Sequence, residues 1–182
     1  MKQRLAVLCM AIWLTGTLWM VVVATQNFYT IDRLLAAKPN PSFVAAIEKL
    51  GDSETNFLLR YLSSELNRLF FQVWGLVQIG IGILALKFAA GLPNSSKPKW
   101  MIVAMLGITL LFAAIITPQI VSVGRSLDFV PRDPAPSQMR TFGLLHAAYT
   151  VLDGIKLILG IIVTVLLLKE STSSPRDAKA RS

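Results

Sequence analysis

The stretch HAAYTVLDGIKLILGIIVTVLLLK, residues 146–169, decides the fold. From Leu157 onward it is hydrocarbon with a single hydroxyl, Thr164, and that length and composition suit a helix crossing a lipid core. Its first half carries His146, Tyr149, Asp153 and Lys156. At 100° per residue these fall at about 0°, 300°, 340° and 280° round a helix, so they share one stripe. An ionised side chain at the centre of a spanning helix costs about 2.5–3.5 kcal/mol on insertion scales. The stripe must therefore face other protein, with Asp153 and Lys156 three apart and able to pair.

Three further runs resemble this one: Leu5–Ala24, Leu69–Phe88 and Trp100–Ile116, which with Ala147–Leu168 measure 17 to 22 residues each. About 20 residues cross a core of about 30 Å, and unalternating runs of this length exclude barrel strands. Across all 182 residues, 54% are hydrophobic and 15% charged, against about 25% charged in a soluble domain. The fold expected is all-α: an integral membrane four-helix bundle with a small extracytoplasmic helical cap. A single domain over 1–170 has helices at about 5–27, 65–88, 100–119 and 142–168, and residues 171–182 form a polar, disordered tail.

Charge sets the orientation. Nine basic and two acidic residues lie on the side shared by the termini, in short segments, whereas the other side has eight basic against seven acidic in longer loops. The excess of Lys and Arg marks the cytoplasm. A multi-pass protein of a bacterial inner membrane with both termini cytoplasmic follows. The net charge of +8 is thus a topology signal, and nucleic acid is not among the partners. Those the sequence allows are the lipid bilayer, a membrane-protein partner or another copy of the chain. The first run is longer than the 7–15 residues of a signal-peptide core and is read as a retained helix.

Between the first two runs, residues 28–64 read as helical pieces: NFYTIDRLLAAK extends helix 1 until Pro39 and Pro41, Ser42 caps FVAAIEKL, and Asp52 or Ser53 caps a helix leading into the second span. Gly75 and Gly82, seven apart, suit close helix approach. The third span leaves the membrane at Thr117-Pro118-Gln119. No phosphate loop, HExxH zinc motif or nucleophile with its base is present, and one cysteine, Cys9, excludes an intrachain disulfide.

In an antiparallel arrangement the polar residues of all four helices collect in the extracytoplasmic half: Gln26, Asn27, Glu65, Asn67, Arg68, Gln72, His146, Tyr149, Asp153 and Lys156. Glu65 and Arg68 are the expected ionic partners of Asp153 and Lys156. The cluster is either a ligand site or a satisfied network that fixes helix register. As weak metal candidates it offers His146, Glu65 and Asp153, because imidazole and carboxylate suit several divalent ions. No cofactor is specified.

The string MRTFGLLHAAYTVLDGIKLILG, residues 139–160, resembles the last helix of an uncharacterised four-helix membrane family, domain of unknown function 4149 or transmembrane-protein-205-like, at Phe142, Leu145-His146, Tyr149 and Asp153. ATQNFYTIDRLLA and SELNRLFFQVW are similar to strings in a group of bacterial hypothetical proteins. The resemblance implies the four-helix fold and transfers no reaction; Lys156 and the long first external segment depart from it. The function expected is a non-enzymatic subunit or small-ligand binding protein. The alternatives are a transporter or metal-handling protein using the cluster as a transit site, and a membrane enzyme acting on a lipid or quinone. A topology reporter fused after Ser182 should read cytoplasmic, and an extracytoplasmic signal there would overturn the orientation.

Overall fold

The computed structural model describes residues 1–93 and 96–172, with side chains as far as Lys169, so the tail expected at 171–182 lies outside the described residues from 173 on. The elements are α1 (Lys2–Ala37), α2 (Pro41–Leu50), α3 (Asp52–Ala90), α4 (Ser96–Leu111), a π-helical turn (Phe112–Ile116), α5 (Thr117–Ser126) and α6 (Gln138–Thr172). No strand occurs among the described residues. Four helical rods are long and apolar enough to cross a membrane: α1, α3, α4 through α5, and α6.

Several boundaries differ from those expected, each for a local reason. α1 ends where Lys38 turns left-handed at φ 43° and returns its N–H to the Leu34 carbonyl, just before the prolines. The cap of α2 is Asn40, not Ser42: the Asn40 Oδ1 accepts from the N–H of Ser42 at 2.8 Å, and Pro41 takes the first helical position, where its missing N–H costs nothing. Gly51, at φ 91°, both stops α2 and starts α3, so neither Asp52 nor Ser53 serves as a cap. The third helix, expected to end at about 119, continues to Ser126. The π turn makes this possible. The N–H of Thr117 bonds the Phe112 carbonyl five residues back, and a wider turn of this kind relieves the i→i−4 ladder where a proline would otherwise break it.

Side-chain contacts fix the directions of the rods. α1 and α3 meet at Asp32/Arg60, Asn27/Ser63, Gly16/Trp74 and Trp13/Gln78, so one number falls as the other rises, as in antiparallel neighbours. α3 and α6 meet at Phe71/Tyr149 and Gln78/Lys156, both rising together, and are parallel. Around this pair, α1 also packs against α6, and α4 against both α3 and α6. The half nearer the chain termini is a dry core of Ala6, Met10, Trp13, Ala85, Ile102, Met105, Val163 and Leu167. Outward faces carry large apolar side chains such as Leu76, 69% exposed, and Trp19, 64% exposed, which a soluble protein would bury.

Glycine is what lets these helices close. Of the expected pair only Gly82 is used, against Leu106 and Trp13; Gly75 has open space around its missing Cβ. Gly16, unremarked in the sequence, lies beneath the ring of Trp74, and Gly160 beneath Leu14. Gly16→Ala should therefore cost about 1–3 kcal/mol, as overpacking does. Gly80→Ala, which meets nothing within 4 Å, should be neutral or stabilising by about 0.5–1 kcal/mol. Thermal unfolding of both variants in one detergent checks the contrast, and equal losses would disprove it.

Candidate functional site

The polar residues that the sequence places in one half do lie at neighbouring levels, but they divide into separate groups. Deepest is Lys156, only 1% exposed. Its ammonium lies 2.7 Å from Asp153 Oδ1 and donates to Gln78 Oε1 at 2.5 Å, with the Phe112 ring centroid 5.0 Å away. The same Gln78 oxygen accepts from the indole N–H of Trp13 at 2.8 Å. One carbonyl oxygen thus ties α1, α3 and α6 together at a single level. Each buried group in this set has its partner, as burial demands.

Glu65 and Arg68 do not reach this pair, contrary to expectation. Arg68, with its side chain 10% exposed, makes a two-pronged pair with Asp128, at 2.9 and 3.0 Å, and bonds Glu65 at 2.5 Å. Arg125 closes the group on the other Glu65 oxygen at 3.4 Å. Asp128 follows α5 directly in the chain, within reach of α3 only because α5 continues past Pro118. Its position on a connection without hydrophobic period gave the sequence no signal for it. At the same level on a different face of α3, Asn27 donates to Asn67 at 2.6 Å and Asn67 donates to the Ala24 carbonyl at 3.1 Å. Gln26 faces outward and accepts from Arg33, and Gln72 is exposed on α3.

Between these groups lies a cleft of about 480 Å³. α1 contributes Phe28 and Thr25, α3 Asn67, Arg68 and Phe71, α5 Ile120, and α6 Phe142, His146 and Tyr149. Its floor is aromatic: Tyr149 stacks on Phe112 at 4.1 Å and meets Phe71 edge-on at 5.6 Å. Volume and a mostly apolar wall with few polar groups are those of a small-molecule site. A second cavity of about 590 Å³ lies behind Phe71, Thr117, Val121 and Tyr149, which line both.

His146 is exposed at this cleft, while Lys156, on the same stripe, is sealed below it. Its Nδ1 lies 3.2 Å from the Phe142 carbonyl, and its ring packs on the Phe142 ring at 4.2 Å. Among the described residues no three or more His, Cys, Asp or Glu side chains gather to hold an ion, so His146, Glu65 and Asp153 do not form the metal set considered from sequence. Sequence reasoning also missed Gln78 as a partner of Lys156 and Trp13 as a partner of Gln78. Their signal was positional: a lone amide and an indole at equal depth on antiparallel helices.

The pairing makes a graded prediction. Lys156→Met alone leaves the Asp153 carboxylate buried without its cation and should cost about 3–5 kcal/mol. Adding Asp153→Asn should recover most of that loss, as read by denaturant unfolding in micelles. Equal loss in the single and double variants would show that the pair does not hold the fold. Comparison with family models, curated protein sequences and solved structures finds no match to this chain.

Proposed function

We propose that this chain is an inner-membrane four-helix bundle, with both termini cytoplasmic, that binds a small amphiphilic ligand in its extracytoplasmic half. The observation that carries the reading is the cleft of about 480 Å³, with apolar walls and Arg68, Asn67 and His146 among its few polar groups. The distribution of Lys and Arg supports the orientation, and α2, packed on α3, would form part of the outer cap. Kinship with the four-helix family named above belongs to the same proposal and rests on the quoted strings.

Binding is favoured over transit by what lies below the cleft. Beneath it lie the Lys156 network and a core in which Ala6, Met10, Trp13, Ala85, Ile102, Met105, Val163 and Leu167 are fully buried. The adjacent second cavity supports the transporter alternative only if Tyr149, on the wall between the two, can swing aside. Catalysis on a lipid or quinone would need a reacting pair, and the cleft's proton-transfer candidates, His146, Asp32 and the tyrosines, include none that are hydrogen-bonded to one another.

Filling the cleft tests the reading. Thr25 is exposed and lines it, so Thr25→Trp places an indole in the space without disturbing the core. Native mass spectrometry of wild-type protein from mild detergent should show a bound small molecule. Its occupancy should fall in the variant by an amount matching at least about tenfold weaker binding, ~1.4 kcal/mol. Identical spectra, both free of ligand, would instead favour a structural subunit.

A further inference from the structure

We propose that the cleft selects a neutral, hydroxyl-bearing aromatic ring carried on an apolar tail, the chemistry of a quinol. This rests on the reading of the cleft as a ligand site and names what that site would take.

The argument begins at His146. A backbone carbonyl only accepts, so its contact with Nδ1 at 3.2 Å places the ring proton on Nδ1. In the neutral ring Nε2 is then left with a lone pair, and no described group donates to it. A ligand meeting that nitrogen must bring a hydrogen-bond donor. Arg68 supplies the opposite function. Three of its five N–H groups are used on Glu65 and Asp128, leaving two without a described partner. The two residues belong to one locus. The point where Gly124 would carry a Cβ is 3.2 Å from the Phe142 ring and 3.3 Å from Arg68 Nη2, and the Phe142 ring in turn packs on the His146 ring at 4.2 Å.

Charge excludes the anionic classes. Arg68 is already matched by two carboxylates, and Asp32, the other charged residue lining the cleft, is paired with Arg60 at 3.2 Å. A phosphate or carboxylate head would find no uncompensated cation lining the cleft. Among the described residues a metal ion would find no cluster of ligands. An uncharged head with both a donor and an acceptor matches what His146 and Arg68 leave open, and Phe28, Phe71, Phe142 and Tyr149 line the same cleft with aromatic surface. Oxygens on a ring satisfy both His146 and Arg68, and the tail lies against the apolar wall.

The experiment is calorimetric titration of the full chain in dodecyl maltoside at pH 8 with one-isoprene ubiquinol, one-isoprene ubiquinone and a short-chain phosphatidylglycerol. Ubiquinol should bind at least about tenfold more tightly than ubiquinone, because only the quinol can donate to Nε2. His146→Phe, which keeps the bulk of an exposed residue, should abolish that difference. His146→Gln, whose side-chain oxygen reaches the region of Nε2, should preserve part of it, and Thr25→Trp should weaken both ligands. Equal affinity for quinol and quinone, or a preference that survives His146→Phe, would overturn the assignment. Binding of phosphatidylglycerol alone, weakened by Thr25→Trp, would overturn the quinol class and leave the ligand site standing. If no probe shows binding that Thr25→Trp weakens, the site falls with it.

Discussion

An ammonium group buried at the middle of four apolar helices imposes order on everything around it. Lys156 has three N–H donors and is only 1% exposed, so its surroundings must supply acceptors at fixed places. Asp153, one turn back on the same helix, cancels the charge locally. Gln78 supplies a second oxygen, and the face of Phe112 lies against the remaining side. Because Gln78 also receives the Trp13 N–H, a slip of α1, α3 or α6 would strand a buried polar group. Polar residues used in this way select a register among many packings that apolar contacts alone would leave nearly equal.

Saturation at this level is what moves the candidate ligand site upward. A network whose charges and amide are already engaged has little capacity to hold a further molecule. Toward the far end the helices have different work: α5 is displaced by the π turn, and Arg68 is drawn onto Asp128 just beyond α5. Gly124 lets Arg68 and Phe142 both approach α5 where a methyl would crowd them. The space left between α1, α3, α5 and α6 is the cleft, and it retains hydrogen-bonding capacity at His146 that the buried network lacks.

The spans were legible because burial in lipid leaves only one backbone solution, and runs such as Leu69–Phe88 have the length it requires. Depth was legible too: antiparallel order puts Gln78 opposite Trp13 and Asn67 opposite Asn27. Pairing was not. A helical wheel gives the direction of Lys156 about its own axis but says nothing of which face a neighbour presents. The expected link from Glu65 and Arg68 to Lys156 failed on depth: Arg68 lies ten residues from Gln78, about 15 Å of rise. Pro118 misled for a different reason. Proline signals a break in an α-helix, and nothing in Phe112–Ile116 announces the π turn that accommodates it.

The chemistry of His146 separates the proposed binding role from catalysis. A general base is helped when a carboxylate holds its second nitrogen, because the imidazolium that forms is then stabilised. Here the second nitrogen meets a backbone carbonyl, which fixes the tautomer and ring orientation but brings no full negative charge. Asp153, the carboxylate on the same stripe, lies about 10 Å of rise from His146 and is committed to Lys156. His146 is thereby suited to accept a hydrogen bond rather than to carry off a proton. That difference in one orienting partner is why a stripe beginning with histidine and ending with lysine divides into an open recognition edge and a closed structural lock.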